Sequence, residues 1–173
     1  MKSTRQALSH TRPDPAPSDV SRRDLFAGLA AIVVSTLAWR TDALAQAGVP
    51  MAVYKDPSCG CCEAWVAHMK ANGFSPTVTN TADTNAIKRK HGIAEPLWSC
   101  HTAVLGAYVV EGHVPAADVK KLLAQRPKGV VGLTIPGMPA SAPGMDTKPF
   151  QPYKVLAFDA QGRTTVFADH AKA

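Results

Sequence analysis

The sequence predicts an α/β domain: a central mixed sheet flanked by helices, with a C-terminal β-hairpin and one Pro/Gly/Met-rich loop. Three observations carry this. Short β-branched or apolar runs alternate with helical apolar stripes between residues 51 and 170. Gly, Pro, Asn and Asp clusters punctuate them at the spacing of short connections. Apolar residues form 46% of the chain and charged ones 18%, a balance that excludes an intrinsically disordered protein.

The chain of 173 residues divides unevenly. Residues 1–20 are polar. Ser21-Arg22-Arg23-Asp24-Leu25-Phe26 then leads into an apolar run, Leu25 to Trp39, broken by Gly28, Ser35 and Thr36 and too short to span a bilayer. Ala43-Leu44-Ala45 supplies a small-x-small cleavage pattern. Paired arginines before a mild apolar segment resemble a twin-arginine export signal, the alternative being an uncleaved anchor or an amphipathic helix. Residues 1–45 are therefore expected to be a signal peptide cleaved after Ala45, and residues 46–173 the working domain. The expected location is the periplasm, where thiols oxidise unless something protects them. Six of the 19 Lys/Arg and four of the 13 Asp/Glu fall in residues 1–45, which leaves the remainder at +4. Those charges are scattered, so no concentrated face for nucleic acid is present.

Met51 to Lys55 reads as a buried strand stopped by Asp56-Pro57-Ser58. A helix begins at Cys61 or Cys62 and runs to about Ala71, with Cys62, Trp65, Val66 and Met69 on one face and Asn72-Gly73 as its stop. Pro76 to Asn80 is strand-like, and Asp83 to His91 a weaker helix ended by Gly92. Thr102–Leu105 and Tyr108–Glu111 form a hairpin about Gly106-Ala107. Pro115 opens a further helix with Val119, Leu122 and Leu123 as its stripe, and Pro127 stops it. Tyr153–Phe158 and Thr164–Phe167 flank Asp159-Ala160-Gln161-Gly162 as a final hairpin.

Residues 127–152 hold six prolines and four glycines, a composition that forbids a long helix or a central strand. Within them Pro136-Gly137-Met138 recurs as Pro143-Gly144-Met145. Met138 and Met145 are candidate thioether ligands, or plugs between loop and core.

The chemistry lies in four sulfurs. Cys59-Gly60-Cys61-Cys62 sits between a strand end and a helix start, at the positive end of the helix dipole, which favours thiolate. Cys59 and Cys62 have the spacing of a redox pair in a thioredoxin-like setting, strand–CxxC–helix. Cys61 is one sulfur more than that chemistry needs, and Cys100 is the fourth. No proline lies between Leu97 and Val114 to act as the cis-proline of a disulfide-exchange site; Ser99-Cys100-His101-Thr102 stands there instead. Soft thiolates with imidazole or thioether beside them select Cu(I), zinc or iron–sulfur clusters. A closed zinc tetrahedron is awkward for adjacent cysteines, because Cys61 and Cys62 splay. Cu(I) accepts two or three thiolates and allows bridging.

The run Val53-Tyr54-Lys55-Asp56-Pro57-Ser58-Cys59-Gly60-Cys61-Cys62-Glu63-Ala64-Trp65-Val66 resembles the opening of the CopG-type family. Ser99-Cys100-His101-Thr102-Ala103-Val104, Glu111-Gly112-His113-Val114-Pro115-Ala116, Pro136-Gly137-Met138-Pro139 and Ser141-Ala142-Pro143-Gly144-Met145 continue the likeness in order. The resemblance implies an exported thioredoxin-like protein of bacterial copper resistance that holds copper as a multinuclear thiolate site. It implies Cys59, Cys61, Cys62 and Cys100 as ligands.

His101 adjoins Cys100, but strand neighbours point to opposite faces, so both serve one ion only if the backbone is irregular there. His113 is an outer ligand or a turn residue. His68 lies about 10.5 Å along the helix from Cys61, too far to share an ion. His10, His91 and His170 read as solvent-facing. Three functions follow: a periplasmic Cu(I)-binding protein, with or without a copper redox step and with copper ions and other copper-handling proteins as partners; a thiol–disulfide oxidoreductase using Cys59 and Cys62; or a zinc-stabilised interaction module.

Overall fold

The computed structural model describes residues 48–172. The expected signal, its cleavage after Ala45 and His10 lie outside them. Among the described residues the chain forms a seven-stranded mixed sheet, three α-helices and one 3-10 turn. The strands are β1 (Val49–Lys55), β2 (Phe74–Asn80), β3 (His101–Leu105), β4 (Tyr108–Glu111), β5 (Gly132–Thr134), β6 (Tyr153–Phe158) and β7 (Thr164–His170). The helices are α1 (Gly60–Ala71), α2 (Thr84–Lys90) and α3 (Ala116–Gln125), and the 3-10 turn is Glu95–Leu97. No helix among the described residues is long and apolar enough to cross a membrane.

The sheet order is β2-β1-β3-β4-β5-β6-β7. The pair β1/β2 is parallel and β3 runs antiparallel to both β1 and β4. With α1 and α2 connecting β1 to β2 and β2 to β3, and α3 following β4, the first four strands make a thioredoxin-like unit. Strands β5 to β7 extend its sheet, β5 parallel to β4 and the last two antiparallel. Pro76 is tolerated in β2 because that strand is an edge, where a missing N–H breaks no inner ladder.

Neighbours on a strand face opposite sides, and the core divides accordingly. On one side Val53, Ala103 and Val110 pack with Trp65, Val66 and Met69 of α1 and Val119 and Leu122 of α3. On the other, Val109 and Phe158 meet Ile93 and Leu97. The apolar stripes read from the sequence are the buried faces of α1 and α3. Asp83 caps α2, its carboxylate accepting from the Ala86 N–H at 2.9 Å.

Three expectations need correction. The Pro- and Gly-rich segment was expected to hold no central strand, yet β5 lies between β4 and β6. It fits because residues 128–135 contain no proline, and Gly132 is the residue its packing demands. A Cβ there would stand 2.5 Å from the Phe158 ring. Pro115 precedes α3 rather than opening it: its φ of −58° and ψ of 141° are extended, and the helix starts at Ala116. His91 and His170 are not free in solvent. His91 is half-buried with its ring near Tyr54. His170 Nε2 lies 2.7 Å from Asp118 Oδ2, with its ring stacked on Tyr153 at 4.7 Å.

Candidate metal centre

The α1 N-terminus, the approach to β3 and the loop after β5 converge. Cys59 is the N-cap of α1, and Cys61 and Cys62 occupy its first turn. A turn of helix brings residues three apart onto one side, and Cys59 and Cys62 form a disulfide with their Cα atoms 5.3 Å apart. Cys61 remains a free, half-buried thiol with its Sγ 3.5 Å from that of Cys59. Cys100, also free, reaches the same place from the segment before β3. All four sulfurs lie within 4.8 Å of one another. The splay of Cys61 from Cys62 therefore does not carry either sulfur out of the cluster.

Two imidazoles complete a second, overlapping set. Donor atoms of Cys62, Cys100, His101 and His113 also lie within 4.8 Å of one another. Cys100 Sγ is 3.0 Å from His113 Nε2 and 3.3 Å from His101 Nδ1. The opposite-face objection to His101 lapses because Cys100 precedes β3 and sits in a bend. His113 lies in the bend after β4 and is fully buried, its ring turned inward. The hairpin register explains its arrival: the ladder ends where Thr102 pairs with Glu111, and the same count carried two residues beyond it sets Cys100 opposite His113. That register could have been counted from the Gly106-Ala107 turn in the sequence.

The loop fixes the protonation of His113. Its Nδ1 lies 2.8 Å from the Pro143 carbonyl oxygen, which can only accept. Nδ1 therefore carries the proton, and the Nε2 lone pair faces Cys100. Such a backbone bond to the remote ring nitrogen is how proteins orient imidazole ligands to metals. Gly144 makes the approach possible: its φ is +86°, and a Cβ there would lie 2.7 Å from the Trp65 nitrogen and 2.9 Å from the Cys61 carbonyl oxygen. Trp65 braces the site from below, donating from Nε1 to the Val114 carbonyl at 2.9 Å and packing its ring 4.3 Å from that of His101.

Burial sets the electrostatics. It pushes the Cys100 thiol up to about 11, with the nearby Cys61 adding to the effect. It holds His113 below the ordinary imidazole value, and His101 well below, so both are neutral donors at neutral pH. His101 Nε2 is buried with no hydrogen-bond partner among the described residues. His68 is not part of the cluster; its Nε2 accepts from the Ala116 N–H at 3.1 Å and thereby caps α3.

Met138, 42% exposed, lines a cavity of about 310 Å³ together with Cys100, Ser99, Trp98 and Lys88. Met145 lies in the turn after Gly144, its N–H donating to the Ala142 carbonyl at 2.9 Å. Lys88 and Glu111, which nothing in the sequence marks as functional, pair in the interior at 2.5 Å beneath the Ser99-Cys100 segment. The same holds for Lys55, buried beside the site with its ammonium 2.8 Å from Glu63. Their signal was weak, because a charged residue inside a short amphipathic pattern reads as solvent-facing.

Residues 97–145 match the family described as protein of unknown function, DUF411. No curated protein matches the chain. Among solved structures, "Copper resistance protein copG- Form 1" is 38% identical, over 72% of this chain and 99% of that one, with a TM-score of 0.67. "Copper resistance protein copG- Form 2" is 39% identical, over 70% and 98%, with a TM-score of 0.66.

Proposed function

The chain belongs to the CopG copper resistance family, and on that premise we propose that it binds copper as Cu(I) in the periplasm, through Cys59, Cys61, Cys62 and Cys100 in a multinuclear thiolate site. The observation that carries the reading is the gathering of four sulfurs within 4.8 Å at a helix N-terminus. The donor set fits the cargo. Thiolates and neutral imidazoles are soft or borderline ligands, and the crowded sulfurs suit ions that accept two or three donors and share them. His113, with its lone pair turned inward by Pro143, and His101 stand at the edge of the sulfur group as further donors. Met138 lies beside Cys100 at the wall of the cavity, where a thioether can meet an incoming soft cation. Storage, transfer to other copper-handling proteins and a change of copper oxidation state are all compatible with this donor set.

The disulfide defines two states of the site. With Cys59 and Cys62 bridged, the free thiols are Cys61 and Cys100. Two electrons and two protons from a dithiol reductant convert the bridge into two more thiols, and metal binding then displaces their protons. The same bridge favours a second reading, a thiol–disulfide oxidoreductase working through Cys59 and Cys62. Against it, the pair stands among two further thiols, Cys61 and Cys100, and two imidazoles lie close to Cys62, more soft donors than disulfide exchange needs.

The deciding experiment is anaerobic loading of the reduced protein, followed by elemental analysis and thiol titration. More than one copper per chain is expected, with loss on Cys61→Ser. Weak, sub-stoichiometric uptake indifferent to that change would sink the proposal. Insulin reduction by the metal-free protein that survives Cys61→Ser and Cys100→Ser would favour the oxidoreductase. Zinc in the protein as isolated, with unfolding in chelator, would point to a structural zinc site instead.

A further inference from the structure

Trp98, Ser99 and Cys100 cross from the 3-10 turn to β3 outside any helix or strand. Their backbone has no ladder to hold it, so the position of the Cys100 sulfur depends on other restraints. One restraint dominates. The Glu111 carboxylate, fully buried, accepts from the Ser99 N–H at 2.6 Å through Oε1. The same oxygen takes the Lys88 ammonium at 2.5 Å, and Oε2 accepts from the Thr102 hydroxyl at 2.7 Å. Lys88 also donates to Thr102 Oγ1 at 3.1 Å, closing a triangle around the carboxylate. Thr102 faces Glu111 across the β3/β4 ladder, so the sheet itself fixes where the carboxylate stands.

We propose that Glu111, locked by Lys88 and Thr102, is a positioning residue that acts on bound copper through Cys100. The proposal rests on the copper reading above and extends it to a residue outside the donor set. A buried ion pair adds little net stability over well-packed apolar residues, so stability alone gives it no clear purpose. What an apolar pair cannot supply is an acceptor for the amide one residue before Cys100. The fit is tight on the other side as well. Gly112, with φ +76°, lies against the Ser99 side chain, where a Cβ would come within 2.7 Å of the serine Cβ. Its own N–H donates to the His101 carbonyl at 2.9 Å. Glu111 and His113 thus flank one glycine, the first holding the backbone that carries Cys100 and the second facing its sulfur. Outer partners of this kind change metal affinity by about 10- to 100-fold when removed.

The test is a double-mutant cycle on the full chain, read as Cu(I) affinity by anaerobic competition with a bicinchoninate chelator. Glu111→Met, which removes the acceptor for the Ser99 N–H, is expected to weaken binding about 10- to 100-fold, and to change little in a Cys100→Ser background, because the effect is transmitted through that sulfur. X-ray absorption of the copper-loaded variant should show the loss of sulfur ligation seen in Cys100→Ser. Since Glu111→Met leaves a buried ammonium without its counter-charge, the paired change Lys88→Met with Glu111→Met serves as the folded control. It leaves no unpaired charge in the interior and, with the ion pair and its bonds to Thr102, removes the acceptor for the Ser99 N–H. Equal losses in both backgrounds, or undiminished affinity in the paired variant, would overturn the proposal. Wild-type protein that draws no copper from the chelator would overturn the copper reading itself, and the two failures are thereby told apart.

Discussion

The two Pro-Gly-Met turns allow a controlled test of how the loop is seated. Gly144→Ala and Gly137→Ala place the same methyl group on backbones of similar φ, +86° and +76°. For Gly137 nothing lies within 4 Å of the new Cβ, so the substitution carries only the left-handed penalty, about 1–2 kcal/mol. For Gly144 the methyl meets backbone atoms of α1, which cannot step aside as a side chain would. The loop must lift, and the His113 Nδ1–H bond to Pro143, 2.8 Å long, goes with it at a further cost of about 1 kcal/mol. The total is about 3 kcal/mol, bounded above by the free energy of detaching the loop. For a domain of this size each kcal/mol lowers the melting temperature by about 3–6 °C. Thermal melts followed by circular dichroism should therefore separate the variants, with Gly144→Ala melting about 3–12 °C below Gly137→Ala. NMR should show the His113 ring nitrogens losing their fixed tautomer only in Gly144→Ala. Equal melting of the two variants would refute the seating of the loop on α1.

Gly60→Ala should stabilise the domain by about 0.4–1 kcal/mol, since the position is helical and open space surrounds a Cβ there; an unchanged or lower melting temperature would contradict it. The histidines predict acid sensitivity. His68, His101 and His113 all have folded values below the ordinary 6.5, each chiefly through burial. The unfolded chain therefore takes up protons first. The stability they contribute is complete above about pH 6.5 and is lost as the pH falls through the depressed values. Urea midpoints should drop between about pH 7.5 and about pH 5.5, less steeply in His68→Gln. A flat profile would show that burial does not hold these rings neutral.

Much of this molecule was readable in advance, for physical reasons that differ by element. The strand–CxCC–helix opening announced itself because Cys62, Trp65, Val66 and Met69 share a helical face, and all four are buried. The β3/β4 hairpin was legible from Gly106, whose φ of +57° is the turn conformation that glycine favours. Strand β5 was not, because three residues beginning with glycine carry no period. Its partner strands and the Phe158 ring create it. His113 was underrated because residues 13 apart look unrelated until the hairpin register is counted through to its end. Lys88 and Glu111 were invisible for a different reason: a buried charge is recognised only once its opposite has been found in space.

The sulfurs all belong to the first four strands and their helices, whereas the carbonyl that orients His113 belongs to the segment between β5 and β6. A fragment ending at Gln125 would retain every cysteine and both central imidazoles. It would lose the clasp that turns one of those imidazoles inward, along with the glycine seated on the α1 backbone. The segment between β5 and β6 is therefore the frame of the candidate centre, contributing geometry where the first four strands and their helices contribute sulfur and imidazole, and dissecting the protein at that seam would leave those groups unframed.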